Sequence, residues 1–213
     1  MIIAIDGPAA SGKSTVARTL AQRLNLTFLD TGAMYRAVTL RVLVSGVDPS
    51  DEAGCVRVAG SIDLSFDLQG HVLIDGEPGE PEVRGAAVTA AVSTVAAHAG
   101  VRAAIVPKQQ AIAAAGGAVA EGRDTTTVVF PGADHKFFLV ASPGERGRRR
   151  AQERGEPDKA GEYTADIERR DELDRSREHS PLRQSSDATL VETDGCTPDE
   201  VCEHLLAQIR AGA

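Results

Sequence analysis

The sequence predicts an α/β fold in three layers: a parallel five-stranded sheet between helices, with a small inserted antiparallel sheet and a helical lid. Three observations predict it. Short apolar runs alternate with helix-length stretches along the chain, the pattern of a parallel sheet covered on both faces. Between Ile62 and Gly79 that alternation gives way to a period of two. The stretch Gly7-Pro8-Ala9-Ala10-Ser11-Gly12-Lys13-Ser14 matches G-x-x-x-x-G-K-[ST], the phosphate-binding P-loop, which belongs between a strand and a helix.

The flanks supply that context. Ile2-Ile3-Ala4-Ile5 reads as a buried strand, and Lys13–Leu24 as a helix with Val16, Leu20 and Leu24 toward the sheet. Thr27-Phe28-Leu29 is a second short strand. Asp30-Thr31-Gly32 ends it, and a helix runs from Ala33 to about Val44 with Gly46 at its C-terminal cap. Ser50 is the expected N-cap of a weak helix over Asp51–Ala59. Ile62, Leu64, Phe66 and Leu68 then alternate with polar residues. Gln69-Gly70 turns the chain, and Val72-Leu73-Ile74 with an Asp75-Gly76 turn completes a small antiparallel sheet. A parallel core needs no hairpin there, so this reads as an insertion, either an edge decoration or a subdomain that closes on a second substrate.

Ala86–Ala97 is an Ala-rich helix broken by Gly100, and Val101–Ala115 a second one with Val101, Ile105 and Ile112 on one face; Gly116-Gly117 ends it. Ala118-Val119-Ala120 is a core strand running into Glu121-Gly122-Arg123-Asp124. Charged residues at a strand's carboxyl end stand where open α/β sheets bind ligands. Val128-Val129-Phe130-Pro131 reads as a brief extended piece and Lys136–Ala141 as the next core strand. Ser142-Pro143-Gly144-Glu145 is a capping box opening a helix that carries Arg146, Arg148, Arg149 and Arg150. A polar tip spans Gly155 to Gly161, a helix resumes near Thr164, and Pro181 closes the excursion. Ala188–Val191 is the last strand, and Thr197-Pro198-Asp199-Glu200 caps the final helix.

The P-loop residues carry their own chemistry. Gly7 and Gly12 allow the tight turns that aim successive N–H groups into one anion-sized hollow, and the helix adds its partial positive end. Lys13 brings a mobile charge to the β/γ-phosphates, and the Ser14 hydroxyl is placed to bind Mg²⁺. The motif therefore points to ATP or another nucleoside triphosphate with Mg²⁺.

Composition narrows the class. With 213 residues, 42% of them apolar and 25% charged, one domain with an insertion is expected. A net charge of −8 argues against a nucleic-acid partner. Three cysteines (Cys55, Cys196, Cys202) fit no metal or disulfide spacing and suit a reducing compartment, and the five histidines are scattered. With no basic leader and no apolar run near 18 residues, the expectation is a cytoplasmic monomer without a membrane span.

The basic side of the chain is almost all arginine. There are four lysines, and eleven of the 23 Lys+Arg fall between Arg146 and Arg183, interleaved with acidic residues. Such a segment reads either as a solvated helical hairpin laced by ion pairs or as a lid whose planar guanidinium groups hold phosphoryl oxygens. Its polar tip between two helices favours the lid.

Gly7–Ser14, Leu29-Asp30-Thr31-Gly32-Ala33-Met34-Tyr35-Arg36, Glu121–Asp124 with Thr127–Pro131, and Arg170-Asp171…Asp174-Arg175-Ser176-Arg177 together resemble the bacterial cytidylate (CMP) kinases among the nucleoside monophosphate kinases. The resemblance implies ATP-dependent phosphorylation of CMP and dCMP by one P-loop kinase domain over residues 1–213. Within it, a monophosphate-binding subdomain would span about 33–100 and a lid about 146–178. It places ATP on residues 7–14 and Thr15, the CMP phosphate on Arg36, Arg123 and Arg177, and the cytosine against Ser93, Arg102 and Asp124. Arg170 and Asp174 fall beside the sugar and phosphates, and Thr31 and Tyr35 in the same site. Lys13, Arg123, Arg149 and Arg177 would stabilise the transferring phosphoryl group. The chain departs from the family at Thr125-Thr126, where a hydrophobic residue and glycine usually follow Gly-Arg-Asp; a glycine there would permit positive φ, which β-branched threonine resists.

Two other readings remain at this point. One is a P-loop kinase for UMP, AMP or a metabolite hydroxyl, for which Asp30 is the candidate base. The other is a nucleotide-sensing adapter without turnover, which would have no use for the arginines.

Overall fold

The computed structural model describes residues 1–67 and 69–211, and Leu68 of the alternating run lies outside the described residues, as do residues 212 and 213 of the expected domain. The first half contains β1 (Ile2–Asp6), α1 (Lys13–Leu24), β2 (Thr27–Asp30), α2 (Thr31–Val44) and α3 (Glu52–Ser61). Then come the short strands β3 (Leu64–Phe66), β4 (Val72–Ile74) and β5 (Glu77–Pro78), followed by α4 (Ala86–Ala97) and α5 (Ala99–Ala114). The second half holds β6 (Ala118–Gly122), β7 (His135–Val140), α6 (Pro143–Glu153), α7 (Ala160–Arg175), β8 (Thr189–Glu192) and α8 (Pro198–Ala211). The main sheet is parallel throughout, in the order β2-β6-β1-β7-β8, and β3-β4-β5 form a separate antiparallel sheet. This is the P-loop α/β architecture expected from the sequence.

Period two along the strands divides the core. Ile3, Ile5, Val119, Phe137 and Leu139 pack against α1 and α8 through Val16, Leu20, Leu205 and Ile209. On the other face the sheet offers small residues, Ala4, Ala118 and Ala120, to α2 and α5, so these helices sit close. The small sheet has no core of its own: Leu64, Val72 and Ile74 join that second layer. Among the described residues no single helix is long and apolar enough to cross a membrane; α4 and α5 bend by 96° where they meet.

Register places the chemistry. Asp30 lies opposite Glu121, and Asp6 opposite Gly122, so three carboxylates share one edge of the sheet with the P-loop. Gly7 must be glycine, because a Cβ there would stand 2.1 Å from the Leu139 carbonyl oxygen of β7.

Several local expectations are corrected. Asp51, not Ser50, caps α3, its side chain accepting from Gly54 N; Ser50 instead donates to Asp48. The break between α4 and α5 falls at His98, whose backbone is extended, while Gly100 sits in the first turn of α5 with its N–H on Glu52 Oε1 (3.1 Å). The second lid helix begins at Ala160 rather than near Thr164. The first capping box is half-made: Ser142 Oγ accepts from Glu145 N (3.4 Å), but Glu145 turns to Arg148 and Arg149. The second is complete, with Thr197 and Glu200 exchanging bonds of 2.8 and 3.3 Å.

The largest correction is at residues 125–129, which form a π-helical turn where an extended piece ending Val128–Pro131 is expected. The cause is Asp6. Its carboxylate accepts from the N–H and hydroxyl of Thr125 (2.8 and 2.7 Å) and of Thr126 (2.7 and 2.6 Å). Four bonds to one buried carboxylate outweigh the strand preference of Val128 and Val129. Neither threonine adopts positive φ.

Candidate functional site

A cleft opens where the P-loop, the ends of β2 and β6, α2, α4, α5 and the lid helices meet. On its donor side, Gly12 precedes α1 without a side-chain cap and the first turn of α1 has no acidic residue, so the helix N-terminus is open to an anion. Lys13 is buried, with Nζ donating to Pro8 O (2.7 Å) and reaching Ser11 Oγ (3.4 Å). Burial and then the charge of Arg123 push its pKa down to about 7. The hydroxyl of Ser14 donates to Glu121 Oε1 (2.6 Å), whose carboxyl is pushed up chiefly by burial and then by Asp30. Ala10 takes φ 57°, a left-handed backbone that costs a non-glycine residue about 1 kcal/mol or more.

On the acceptor side guanidinium groups converge. Arg36 on α2 donates to Val83 O (3.2 Å) and Thr89 Oγ1 (3.0 Å), and burial and the neighbouring Arg84 bring its pKa down to about 10. Arg170 on α7 is brought down to about 9 by burial and then by Arg123 and Arg36; its Nε is buried without a hydrogen-bond partner. Arg123, just past β6, and Arg177, just past α7, share Asp174, at 2.8 and 2.6 Å. Burial opposes the Asp174 charge, yet Arg123, Arg177 and Arg170 hold its carboxyl below the usual range.

At the far end Arg102 pairs with Asp124, both about 95% buried, and the Arg102 guanidinium lies 5.0 Å over the Tyr35 ring. Burial raises the Asp124 carboxyl despite that partner, and raises the Tyr35 hydroxyl to about 12. Among the described residues, Tyr35 Oη and Arg102 Nε are buried with no hydrogen-bond partner.

All ten residues expected at the acceptor, Thr31, Tyr35, Arg36, Ser93, Arg102, Arg123, Asp124, Arg170, Asp174 and Arg177, line this cleft. Thr31 does so with its hydroxyl committed to Glu121 O (2.7 Å). Of the expected phosphate-loop residues, Ala9, Ala10, Lys13 and Ser14 face it, whereas Gly7, Pro8, Ser11 and Gly12 form the loop behind and Thr15 is exposed outside.

The three lid arginines that the sequence offers for the transferring phosphoryl group, Arg146, Arg149 and Arg150, take different places. Arg150 reaches the cleft. Arg149 is absent from the cleft lining but stays beside the phosphate loop: its Nη1 would lie 3.5 Å from a Cβ on Gly12, and it donates to Glu145 (2.8 Å) and to the Thr193 hydroxyl and carbonyl (3.0 and 2.6 Å). Arg146 is buried against Asp171, with further bonds to the carbonyls of Ala9 and Ala141 (both 3.1 Å).

Sequence reasoning missed Arg84, which lines the cleft and donates to Asp30 Oδ2 (3.1 Å), and gave Glu121, which accepts from Ser14, no role of its own. Asp30 has both oxygens engaged, since Oδ1 accepts from Ala33 N (2.8 Å) and so caps α2. No local pattern marks Arg84; Glu121 was legible as an acid at a strand's carboxyl end.

The family profile described as cytidylate kinase matches residues 3–211. The chain is 42% identical over 212 residues to a protein named cytidylate kinase from Clostridioides difficile (strain 630), covering 98% of each. It is 47% identical over 210 residues to the cytidylate kinase of Geobacillus thermodenitrificans (strain NG80-2), covering 96% of this chain and 94% of that one. It is also 48% identical over 218 residues to the bifunctional pantoate ligase/cytidylate kinase of Parasynechococcus marenigrum (strain WH8102), covering 99% of this chain but 44% of that protein. The chain thus spans less than half the length of the bifunctional relatives it matches.

Proposed function

The chain belongs to the cytidylate kinase family, and we propose that it transfers the γ-phosphoryl group of ATP to CMP and dCMP. The observation that carries this is the acceptor cleft: a cluster of guanidiniums at one end and a buried Arg–Asp pair at the other. Arg36 and Arg170 hold their protons less tightly than free arginine, through burial and mutual repulsion, and a dianionic phosphate monoester relieves both. The Asp124 carboxylate accepts from an exocyclic amine while Arg102 donates to ring acceptors, the edge that cytosine presents. Uracil would face Asp124 with a carbonyl oxygen.

The reaction needs no base. A phosphate oxygen of CMP, already ionised, attacks the γ-phosphorus; the bond to the bridging oxygen breaks, and ADP and CDP result. Lys13 and the loop amides hold the donor phosphates, and Arg123 and Arg177, held by Asp174, align the acceptor. Arg150 is the lid residue set to reach the transferring group, with Arg149 bracing the loop from behind.

Magnesium fits the residues present. Among the described residues no three His, Cys, Asp or Glu side chains cluster as a metal cage, and Ser14 offers one hydroxyl oxygen, in keeping with an ion bound mostly by phosphates and water. When bound it supplies charge neutralisation at the phosphoryl oxygens, with Ser14 as its protein ligand.

We read the whole as one kinase domain with a monophosphate-binding insertion over about 33–100 and a lid over about 146–178. The large exposed apolar side chains Val44, Val128, Leu173 and Leu190 are scattered, which supports a monomer; three free cysteines support a reducing, cytoplasmic setting. Asp30, the candidate base for a hydroxyl acceptor, is tied instead to Ala33 N and Arg84.

A coupled ADP-release assay with Mg-ATP and CMP, dCMP, UMP, AMP or no acceptor tests the proposal. CMP and dCMP should dominate. Equal rates with UMP, or silence with every acceptor, would overturn it.

A further inference from the structure

Lys13 and the glycines of the phosphate loop are accounted for; the loop's own backbone conformation is not. Ala10 sits in the left-handed region at φ 57°, in the loop that faces the nucleotide phosphates. Isolated, such a residue would relax. Its neighbour Ala9 is held at both polar atoms by the lid hairpin. The N–H of Ala9 donates to Asp171 Oδ1 (2.9 Å), and its carbonyl accepts from Arg146 Nη1 (3.1 Å). Arg146 and Asp171 pair with each other, and Asp171 is fully buried and Arg146 nearly so. The result is a closed ring of loop N–H, carboxylate, guanidinium and loop carbonyl.

The two helices of the hairpin that carries the ring are closely packed. A Cβ on Gly147 of α6 would stand 1.9 Å from Thr164 Oγ1 of α7, so the two helices meet backbone to side chain with no slack. A second tie reaches the loop two residues on, where the Thr193 hydroxyl is shared between Ser11 O (3.2 Å) and Val140 O (3.1 Å) and accepts from Arg149 (3.0 Å). Because Asp171 consumes the Ala9 N–H, an anion in the loop must use amides from Ala10 onward.

We propose that the buried Arg146–Asp171 pair is a positioning device for the donor nucleotide: it pins Ala9 and thereby holds Ala10 in the left-handed conformation that shapes the phosphate hollow. Neither residue touches substrate; they act through the loop. The inference rests on the ATP-binding half of the proposed function and is independent of which acceptor is used.

The test measures the Kd of MgATP and of CMP, separately, by calorimetry on the full chain. The variants are Asp171→Asn and the double variant Arg146→Met/Asp171→Leu, each with and without Ala10→Gly; Ala10→Gly alone is the reference. The double variant leaves no unpaired buried charge and keeps the net charge, so it tests the idea even where Asp171→Asn fails to fold. Both should raise the MgATP Kd by about tenfold, the factor that ~1.4 kcal/mol of loop free energy represents, and move the CMP Kd by no more than about twofold. Ala10→Gly should restore MgATP binding in both, since glycine takes that φ without strain. An unchanged MgATP Kd, equal weakening for both nucleotides, or no rescue by Ala10→Gly overturns the proposal. A wild-type chain that binds MgATP but ignores CMP defeats the acceptor assignment and leaves the MgATP and rescue arms fully readable.

Discussion

On the proposed reading, the two halves of the cleft hold phosphate oxygens by opposite means. The donor half uses backbone: eight consecutive residues, an uncapped helix start and one lysine. The acceptor half uses side chains, with guanidiniums from α2, from the end of β6 and from α7 braced by Asp174. A backbone site can take any polyphosphate, and here the loop leans on a single ion pair from the helical hairpin, Arg146–Asp171. A side-chain site is selective, and each member depends on partners far away in the chain.

Four substitutions or titrations probe that contrast. Lys13→Met should cost the most, about 10²–10³-fold in turnover. Its melting temperature should not fall, because a buried lysine whose pKa is pushed down to about 7 opposes folding at neutral pH. Coupled assay and thermal unfolding check the two together; a lower melting temperature would show that the lysine is structural.

Next comes Asp124→Asn, which should cut the CMP-over-UMP preference by roughly a hundredfold, since the mismatch leaves buried polar groups unpaired. It should also destabilise by about 3–5 kcal/mol, because Arg102 then lies buried without its counter-ion. Retained base preference in the folded variant would break the assignment of the far end of the cleft.

The third probe is pH. The native pKa of Lys13, about 7, lies below the 10.5 of an exposed lysine, so between them the unfolded chain binds the extra proton and stability from this group rises with pH; below 7 the slope vanishes. Phosphate charge restores the proton, so MgATP binding at pH 8 should take up a fraction of a proton. Calorimetry in buffers of different ionisation enthalpy reads it, and Lys13→Met should abolish it.

The smallest effect is expected at Thr126→Gly, which returns the usual family residue. It removes one hydroxyl bond to Asp6 and adds backbone freedom, a loss of about 1–2 kcal/mol. The KM for CMP should rise while that for ATP stays put; urea unfolding and steady-state kinetics distinguish this from a neutral replacement.

The contrast also explains what could be read in advance. The five core strands and the phosphate loop are written in contiguous residues, so periodicity and one motif locate them. Arg123 and Asp124 stand out by their place at a strand's carboxyl end; the other acceptor residues came only through likeness to a family, because nothing local distinguishes Arg36 or Arg102 from a solvent-facing arginine. Three features were out of reach for a common reason. The π-helical turn at 125–129 exists because Asp6, 119 residues earlier, accepts four bonds from two threonines. Arg84 matters because Asp30 lies 54 residues upstream of it, and Asp171 because Ala9 lies 162 residues upstream. Each is a buried polar pairing across the fold, invisible to propensity and pattern.

Asp30 carries a further consequence. One of its oxygens closes the first turn of α2 and the other holds Arg84, so the carboxylate at the end of β2 is committed on both oxygens to parts of the fold. A single side chain thus fastens the start of one helix to an arginine 54 residues later, and both Asp30 and Arg84 line the cleft. Loss of that one carboxylate would loosen two walls of the cleft at once.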